Sequence, residues 1–224
     1  MLRCCAIAHT EAVEDYLKSI FVRSGHDEVV TTSSLAGHLG VAAPTVSAMV
    51  KRLAAHGLVH RSDDRLITLT AHGERHALGV VRRHRLAEAF LATALGMTWD
   101  EVDEEAEVLE HAISPRLEEL IDAFLGHPSH DPHGDPIPQP TGRHVEAWAM
   151  SLAAVSPPGR FSVERVSDRD GAALRYLADL GIRPGAVVDV LERGPFGGPL
   201  WVLVDERRHA LGEEITSAVH GRVR

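Results

Sequence analysis

Four side chains of the kinds that bind metal ions recur at helical spacing in one acidic stretch of the chain. They are Asp103, Glu107, Glu110 and His111, and the surrounding run 99–121 contains no glycine and only one proline, which predicts a helix. Spacings of three and four residues place these groups on one side of that helix, each within ~5–6 Å of a neighbour. Their charges are costly beside a packed face unless something neutralises them, and a bound divalent cation would do so. The alternative interpretation is a solvated acidic face.

Histidine occurs in two further patterns. His84 and Glu88 stand four residues apart on a helix predicted over 71–94, a spacing that allows chelation of one cation but is also typical of an ordinary surface contact. Three more histidines recur at every third position of the segment 124–141: His127, His130 and His133. The prolines of that segment exclude a helical face, so we interpret it as a solvated loop. The alternative is a loop that binds metal weakly.

The segment 32–70 has the pattern of a winged helix-turn-helix. A short predicted helix ends at Gly40, and Pro44 opens a second helix that stops at Gly57. Two β-prone runs within 58–70 flank a polar turn and predict the wing. Side chains of the second helix and the wing, all but one of them polar, suit contacts with base edges and phosphates: Pro44, Thr45, Ser47, Lys51, Arg52, Arg61 and Arg65. The alternative is a helical core covered by a hairpin.

The distribution of charge separates a basic region from an acidic one. The whole chain of 224 residues has a formal net charge of −9. Between Pro44 and Arg85, however, eight lysines and arginines face three acidic residues, whereas between Trp99 and Asp122 ten acidic residues face one arginine. The first region is a candidate phosphate-binding surface, and the second is a candidate cation site.

The composition leads us to expect a cytoplasmic protein that does not enter a membrane. Hydrophobic residues make up 44% of the chain and charged residues 25%. No apolar run approaches the ~18 residues that a membrane-spanning helix needs. The N-terminus carries Arg3 but no long apolar segment or cleavage signal. Cys4 and Cys5 are adjacent, so they cannot cross-link distant parts of a fold, and they fit a reducing compartment.

Towards the C-terminus the hydrophobic pattern changes from helical to alternating. A short helix is predicted over 145–155, and a linker follows at Pro157-Pro158-Gly159. Three later runs predict strands: 161–166, 186–191 and 200–204. Short strands joined by glycine-rich turns predict a small β-barrel.

Taken in order, these motifs resemble those of the diphtheria toxin repressor family of metal-dependent transcriptional regulators, which includes manganese transport regulators. The resemblance covers essentially the whole chain, and the order of several separate motifs makes it specific. The motifs are Val13-Glu14-Asp15-Tyr16-Leu17, Pro44-Thr45-Val46-Ser47, Arg83-His84-Arg85-Leu86-Ala87-Glu88, Glu107-Val108-Leu109-Glu110-His111, Asp135-Pro136-Ile137-Pro138 and Leu180-Gly181-Ile182-Arg183-Pro184-Gly185.

The resemblance implies a mainly α protein with a small β domain. A winged helix-turn-helix DNA-binding domain would span 1–75, and a helical metal-binding and dimerisation domain would span 76–145. A linker over 146–160 would lead to an SH3-like (FeoA-like) β-barrel over 161–224. The protein would bind double-stranded operator DNA as a homodimer.

The resemblance also implies an activating metal site. Asp15 of the first helix would act with Glu107, Glu110 and His111, whereas iron-sensing members carry methionine and cysteine in place of Asp15 and Glu107. Three carboxylates and one imidazole make a hard, oxygen-rich site. Such a site suits Mn²⁺ and does not strongly reject Fe²⁺, Co²⁺ or Zn²⁺.

A second, ancillary site is implied by the same resemblance. Its four ligands would be His84, Glu88, Asp103 and Asp170. Lys18 stands where manganese regulators place an acidic residue, so a closely paired two-metal cluster is not expected. Ala173 stands where iron regulators carry glutamine.

The sequence therefore predicts a manganese-responsive repressor of metal-uptake genes, and not an enzyme. One alternative is an iron(II)-dependent regulator of the same family. A second is a metallohydrolase, in which metal-bound water is activated, but the sequence has no nucleophile motif, phosphate loop or His-Glu-x-x-His signature. A third is a metal-independent winged-helix protein whose acidic side chains are solvated.

Overall fold

The computed structural model describes residues 10–25, 28–140 and 148–224 of the chain. These residues divide into two compact units. The first unit contains the described residues of Met1–His84, Glu110–Ala112 and Pro138–Ala147. The second unit contains Arg85–Leu109, Ile113–Ile137 and Trp148–Arg224.

Three helices form the helix-turn-helix part of the first unit: α1 (Glu11–Gly25), α2 (Thr32–His38) and α3 (Ala43–Ala55). Thr31 caps α2, because its hydroxyl accepts the backbone N–H of Ser34 while the Ser34 hydroxyl accepts that of Thr31. Pro44 lies in the first turn of α3, where its missing N–H costs no hydrogen bond. One face of α3 packs into the core of the unit: Val46, Val50 and Leu53.

The wing and the helix behind it are β1 (Val59–Arg61), β2 (Ile67–Leu69) and α4 (Ala71–Leu95). The two strands pair antiparallel, and Arg65 at the turn adopts a φ of 64°. A Cβ on Gly73 would lie 2.0 Å from the backbone oxygen of Leu58, so only glycine lets α4 approach the start of the wing. The predicted winged helix-turn-helix is confirmed.

The single helix predicted over 99–121 is wrong. Two helices replace it: α5 (Val102–Leu109) and α6 (Pro115–Phe124). Ser114 caps α6 by accepting the backbone N–H of Leu117, and a proline at 115 disfavours helical backbone in the residue before it. The chain therefore ends one helix and starts another within a few residues.

This break changes where the predicted metal ligands lie. Asp103 and Glu107 are on α5, whereas Glu110 and His111 are in the turn that follows it. The prediction that all four share one face of one helix is therefore wrong. A small core packs the helices of the second unit: Leu86, Ala87, Leu91, Val102, Ala106, Ile113, Ile121 and Ile137.

The remainder of the second unit is an antiparallel sheet with two helices. Its elements are β3 (Met150–Ser151), β4 (Gly159–Val166), α7 (Gly171–Asp179), β5 (Val187–Arg193), β6 (Leu200–Val204), β7 (Arg207–Leu211), α8 (Glu213–Ala218) and β8 (Val219–Val223). The strand order is β3-β8-β4-β5-β6-β7. The predicted SH3-like domain is confirmed, but the described strands show no pairing between β3 and β7, so the sheet is open rather than a closed barrel.

The helix predicted over 145–155 is not found in the described part of that range. Met150 and Ser151 form β3, and residues 152–154 form a short 3₁₀ helix, while residues 145–147 lie outside the described residues. Ser151 pairs with His220 of β8. Pairing with a strand distant in sequence thus overrides the local preference for helix.

Candidate metal centre

Three of the predicted ligands come together in the first unit. Asp15, Glu110 and His111 each offer a ligand atom within 4.8 Å of the others, and we call these three residues the primary cluster. Nε2 of His111 lies 3.0 Å from Oδ1 of Asp15 and 3.6 Å from Oε1 of Glu110. Two carboxylates and one imidazole form a donor set that fits a divalent cation.

A carboxylate outside the primary cluster orients His111. Nδ1 of His111 lies 2.7 Å from Oε2 of Glu14, so Nδ1–H donates to Glu14 and Nε2 faces the cluster. Arg83 in turn holds Glu14, because Nη2 of Arg83 donates to Oε1 of Glu14 at 3.0 Å. Burial would lower the pKa of His111, but the hydrogen bond to Glu14 and the neighbouring carboxylates raise it above its usual value. Metal-binding histidines usually have such a partner on the second ring nitrogen.

The carboxylate of Glu110 is fully buried and contacts two cationic or polar groups on its other side. Its Oε2 lies 2.7 Å from Nζ of Lys18 and 2.6 Å from Nδ1 of His84. Nζ and Nδ1 are themselves 2.9 Å apart. Burial would raise the pKa of Glu110, but the hydrogen bond from His84 and the charge of Lys18 lower it below its usual value. Glu110 therefore stays ionised without a bound metal.

Glu107 belongs to the second unit, where its side chain on α5 is exposed. Its assignment as a ligand of the activating site stays a prediction. Glu14, by contrast, was not predicted. Its place beside Asp15 on α1 carries no signal until the position of His111 is known.

A second group of ligands lies within the second unit. Glu88, Asp131 and His133 are all buried and offer ligand atoms within 4.8 Å of one another, and we call them the loop cluster. Nε2 of His133 donates to the carbonyl oxygen of Trp99 at 2.6 Å. Nδ1 of His133 then faces Oε1 of Glu88 at 3.4 Å and has no hydrogen-bond partner among the described residues. A buried nitrogen turned towards two carboxylates fits a cation between them.

The electrostatics of the loop cluster favour added positive charge. Burial and the charge of Glu88 raise the pKa of Asp131 well above its usual value. Burial would lower the pKa of His133, but Glu88, Asp131 and Asp168 raise it. Nε of Arg85 lies 3.9 Å from Oδ2 of Asp131, and its charge acts against this rise in the pKa of Asp131.

The loop that carries His133 is folded against the sheet. The backbone N–H groups of His133 and Asp135 both donate to Oδ1 of Asp131, at 2.8 Å each. Gly134 has a φ of +89°, and a Cβ there would lie 2.0 Å from the backbone oxygen of Glu164. The interpretation of this segment as a solvated loop is therefore wrong for His133, whose exposure is 0%.

The predicted ancillary site stays a prediction; Glu88, Asp103 and Asp170 belong to the second unit, and His84 belongs to the first. Glu88 and Asp103 have carboxylate oxygens within 4.8 Å of each other, and His84 precedes Glu88 by one turn of α4. Asp170 instead caps α7 by accepting the backbone N–H of Ala172 at 2.8 Å, and it is absent from the metal-ligand groups formed by the described residues. Asp168 is the acidic residue of that segment that acts on His133.

The predicted DNA-binding side chains lie on the outer surface of the first unit. Six are exposed and Ser47 is half-buried. The exposed ones are Pro44, Thr45, Lys51, Arg52, Arg61 and Arg65. They belong to the face of α3 opposite its packed residues and to the wing, as base and phosphate contacts require.

Comparisons with known proteins match all three parts of the chain. Residues 9–66 match the iron dependent repressor N-terminal DNA-binding domain, residues 70–139 its metal-binding and dimerisation domain, and residues 150–223 the FeoA domain. The iron-dependent repressor IdeR of Mycobacterium leprae is 31% identical over 222 residues, covering 93% of this chain and 96% of the relative. The chain belongs to the iron-dependent repressor family.

Other members of the iron-dependent repressor family extend this result. The diphtheria toxin repressor of Corynebacterium efficiens is 30% identical, covering 91% of this chain and 95% of the relative. A solved manganese-dependent transcriptional repressor in complex with manganese is 42% identical, with a TM-score of 0.86, covering 94% of this chain and 99% of that one. The resemblance to the diphtheria toxin repressor family is confirmed, and the chain is a metal-dependent, DNA-binding transcriptional repressor.

Proposed function

We propose that this repressor responds to manganese and acts on genes for metal uptake. The observation that carries the proposal is the chemistry of the primary cluster, in which carboxylate oxygens from Asp15 and Glu110 face one imidazole nitrogen from His111. We assign Glu107 as the fourth ligand, which adds another oxygen. Hard oxygen donors suit Mn²⁺, whereas thiolate and thioether donors would favour softer ions.

Iron is the second candidate, because named relatives such as IdeR of Mycobacterium leprae are iron-dependent. Fe²⁺ also binds carboxylates and imidazole, and it follows Mn²⁺ in the general order of increasing affinity. Discrimination between the two therefore depends on coordination number and geometry rather than on donor type.

The primary cluster is suited to control the DNA-binding surface. A divalent ion, when bound, supplies the positive charge that stabilises two carboxylates and an imidazole at close range. Asp15 lies on α1, whose Val13, Leu17 and Ile20 share one core with the inner face of α3. Holding Asp15 against Glu110 and His111 therefore restrains the helix that packs behind α3. If a bound metal ion raises the affinity for DNA by some factor, bound DNA must raise the affinity for the metal ion by the same factor.

We assign the predicted surface of α3 and the wing to operator DNA. Thr45 and Ser47 would contact base edges, while Lys51, Arg52, Arg61 and Arg65 would contact phosphates. In a homodimer two such surfaces engage half-sites separated by ~34 Å or a multiple of a helical turn. Among the described residues, no helix is both long enough and apolar enough to cross a membrane.

We assign the dimer contact to apolar side chains that the second unit leaves exposed near the end of α4 and on α6: Leu95, Leu117, Leu120 and Phe124. Exposed apolar residues at this density are typical of a protein interface. We also retain the predicted domain boundaries at 75, 145 and 160. The matched family domains cover residues 9–66, 70–139 and 150–223, so the FeoA match begins within the predicted linker.

We propose the loop cluster as a second ion site. Glu88, Asp131 and His133 would supply the ligands, with Asp168 adding negative charge. This assignment shares Glu88 with the predicted combination of His84, Glu88, Asp103 and Asp170, which stays a prediction; Asp170 also caps α7.

The test is DNA binding as a function of free metal. Duplexes selected in vitro from random sequence would be titrated with the purified protein at matched free Mn²⁺, Fe²⁺ and Zn²⁺ and in chelator. We expect tight binding with Mn²⁺ at concentrations where Fe²⁺ is less effective, and loss of binding in chelator. Equal affinity in chelator would identify a metal-independent DNA-binding protein, and stronger activation by Fe²⁺ would identify an iron regulator.

A further inference from the structure

Glu110 presents its two oxygens to different surroundings within the first unit. Oε1 faces the primary cluster, 3.6 Å from Nε2 of His111. Oε2 faces Nζ of Lys18 at 2.7 Å and Nδ1 of His84 at 2.6 Å. One buried carboxylate thus borders two positions: the primary cluster on the side of Oε1, and the space between Lys18 and His84 on the side of Oε2.

The second position already contains a positive charge. The ammonium of Lys18 lies within 3 Å of both an imidazole nitrogen and a carboxylate oxygen, at 2.9 Å and 2.7 Å. Imidazole nitrogen and carboxylate oxygen are metal ligands, and a divalent ion bound by both would sit ~2.0–2.2 Å from each. Such an ion and the ammonium cannot occupy that space together.

We propose that Lys18 is a tethered cation that occupies the position of a second metal ion beside the primary cluster, and so limits the cluster to one ion. This inference rests on the proposed function, because it requires an ion at Asp15, Glu110 and His111. Lys18 has two effects. It excludes a second ion between His84 and Glu110, and it repels and competes with the ion in the primary cluster.

The structure explains why this arrangement is stable before metal binds. The side chain of Glu110 is 0% exposed, and an isolated buried carboxylate would be strongly destabilising. Lys18, whose side chain is only 13% exposed, supplies the compensating charge from the neighbouring turn of α1. The ligand is therefore ionised and in place when the metal arrives.

The proposal is tested by changing the group at position 18 in the full-length protein. Lys18→Glu replaces the ammonium with a carboxylate that, with His84 and Glu110, completes a three-ligand site. Lys18→Met removes the charge without adding a ligand. Arg207→Glu is the matched control, because Arg207 is an exposed cation on β7 and the same charge reversal there leaves the cluster untouched. Asp15→Asn reports whether the primary cluster binds metal at all.

Two measurements are made without DNA. Equilibrium dialysis against Mn²⁺ counts ions per protomer, and low-temperature electron paramagnetic resonance detects spin coupling between adjacent Mn²⁺ ions. We expect Lys18→Glu to bind one more ion per protomer than the parent and to show a coupled pair. Lys18→Met should bind the parental number of ions with severalfold tighter affinity at the primary cluster, and Arg207→Glu should match the parent.

Each failure has a distinct signature. A parental ion count without spin coupling in Lys18→Glu would overturn the proposal, as would a coupled pair in the parent. If Lys18→Glu does not fold, unchanged Mn²⁺ affinity in Lys18→Met would overturn it instead. If Asp15→Asn binds Mn²⁺ like the parent, the proposed function itself fails, because the primary cluster is then not the activating site.

Discussion

At the scale of single residues, Glu14 decides which nitrogen of His111 faces the primary cluster. Its carboxylate accepts Nδ1–H at 2.7 Å and is held in turn by Arg83. The neutral imidazole then presents Nε2 as the donor to a metal, and the carboxylate increases the basicity of the ring. Glu14 on α1 thus orients His111, which lies in the turn after α5.

We expect Glu14→Gln to weaken Mn²⁺ binding at the primary cluster by about tenfold, the lower end of what such a partner contributes. Glutamine can still accept a hydrogen bond but has no charge. Calorimetric titration measures the affinity, and Glu11→Gln is the control because Glu11 is exposed on the same helix. Equal affinity in the two variants would mean that Glu14 does not orient the ligand.

A second prediction distinguishes two histidines of one loop. His133→Gln should remove one bound ion per protomer, because His133 is fully buried in the loop cluster. His127→Gln should leave the ion count unchanged, since His127 has a side chain 72% exposed beside Asp122. Equilibrium dialysis measures the number of ions bound by each of the two variants. A parental ion count in a folded His133→Gln variant would remove His133 from the ligands.

At the scale of elements, sequence reasoning succeeded where local signals are strong. Pro44 after Gly40 predicts the turn between α2 and α3, and the β-prone runs predict the wing. The prediction of one helix over 99–121 failed, because Ser114 caps a new helix within a run that has continuous helical periodicity. Sequence reasoning also failed for His133, whose burial depends on contacts with residues distant in sequence that no local pattern reports.

The recognition helix gives the third prediction. Lys51→Ala should weaken binding to all DNA sequences and lower the slope of log affinity against log salt by about 1, because it removes one phosphate contact. Thr45→Ala should instead alter base preference with little change in slope. Arg116→Ala is the control, since its side chain is 75% exposed on α6. Fluorescence anisotropy at several salt concentrations measures the slopes, and parental slopes in Lys51→Ala would exclude this contact.

At the scale of the whole molecule, the proposed dimer contact would bring two copies of the chain together on DNA. Leu117, Leu120 and Phe124 follow each other at helical spacing on α6 and are all exposed. Their arrangement could be predicted from the periodicity of the segment. Their exposure could not, because an exposed apolar stripe has the same appearance in sequence as one buried within the chain.

We expect Leu120→Asp to dissociate the dimer, because a charge would be buried in an apolar contact. Affinity for a two-half-site operator should then fall by about 100-fold or more, the lower end of the gain from linked binding. Mn²⁺ binding at the primary cluster should persist. Glu119→Lys changes charge off the stripe and should remain dimeric in sedimentation. If the Leu120→Asp variant remains dimeric, the dimer interface does not include this part of α6.

The contact between the His133 loop and β4 has a consequence for modularity. The carbonyl of His133 accepts the backbone N–H of Val166 at 2.9 Å. Only glycine fits at position 134, because a Cβ there would collide with the backbone oxygen of Glu164. A chain truncated before residue 148 would lack that strand, so the loop would lose the surface against which it folds, and the loop cluster with it. The three residues of the primary cluster lie on α1 and in the turn at 110–111. A shortened chain should therefore keep the primary cluster and lose the loop cluster.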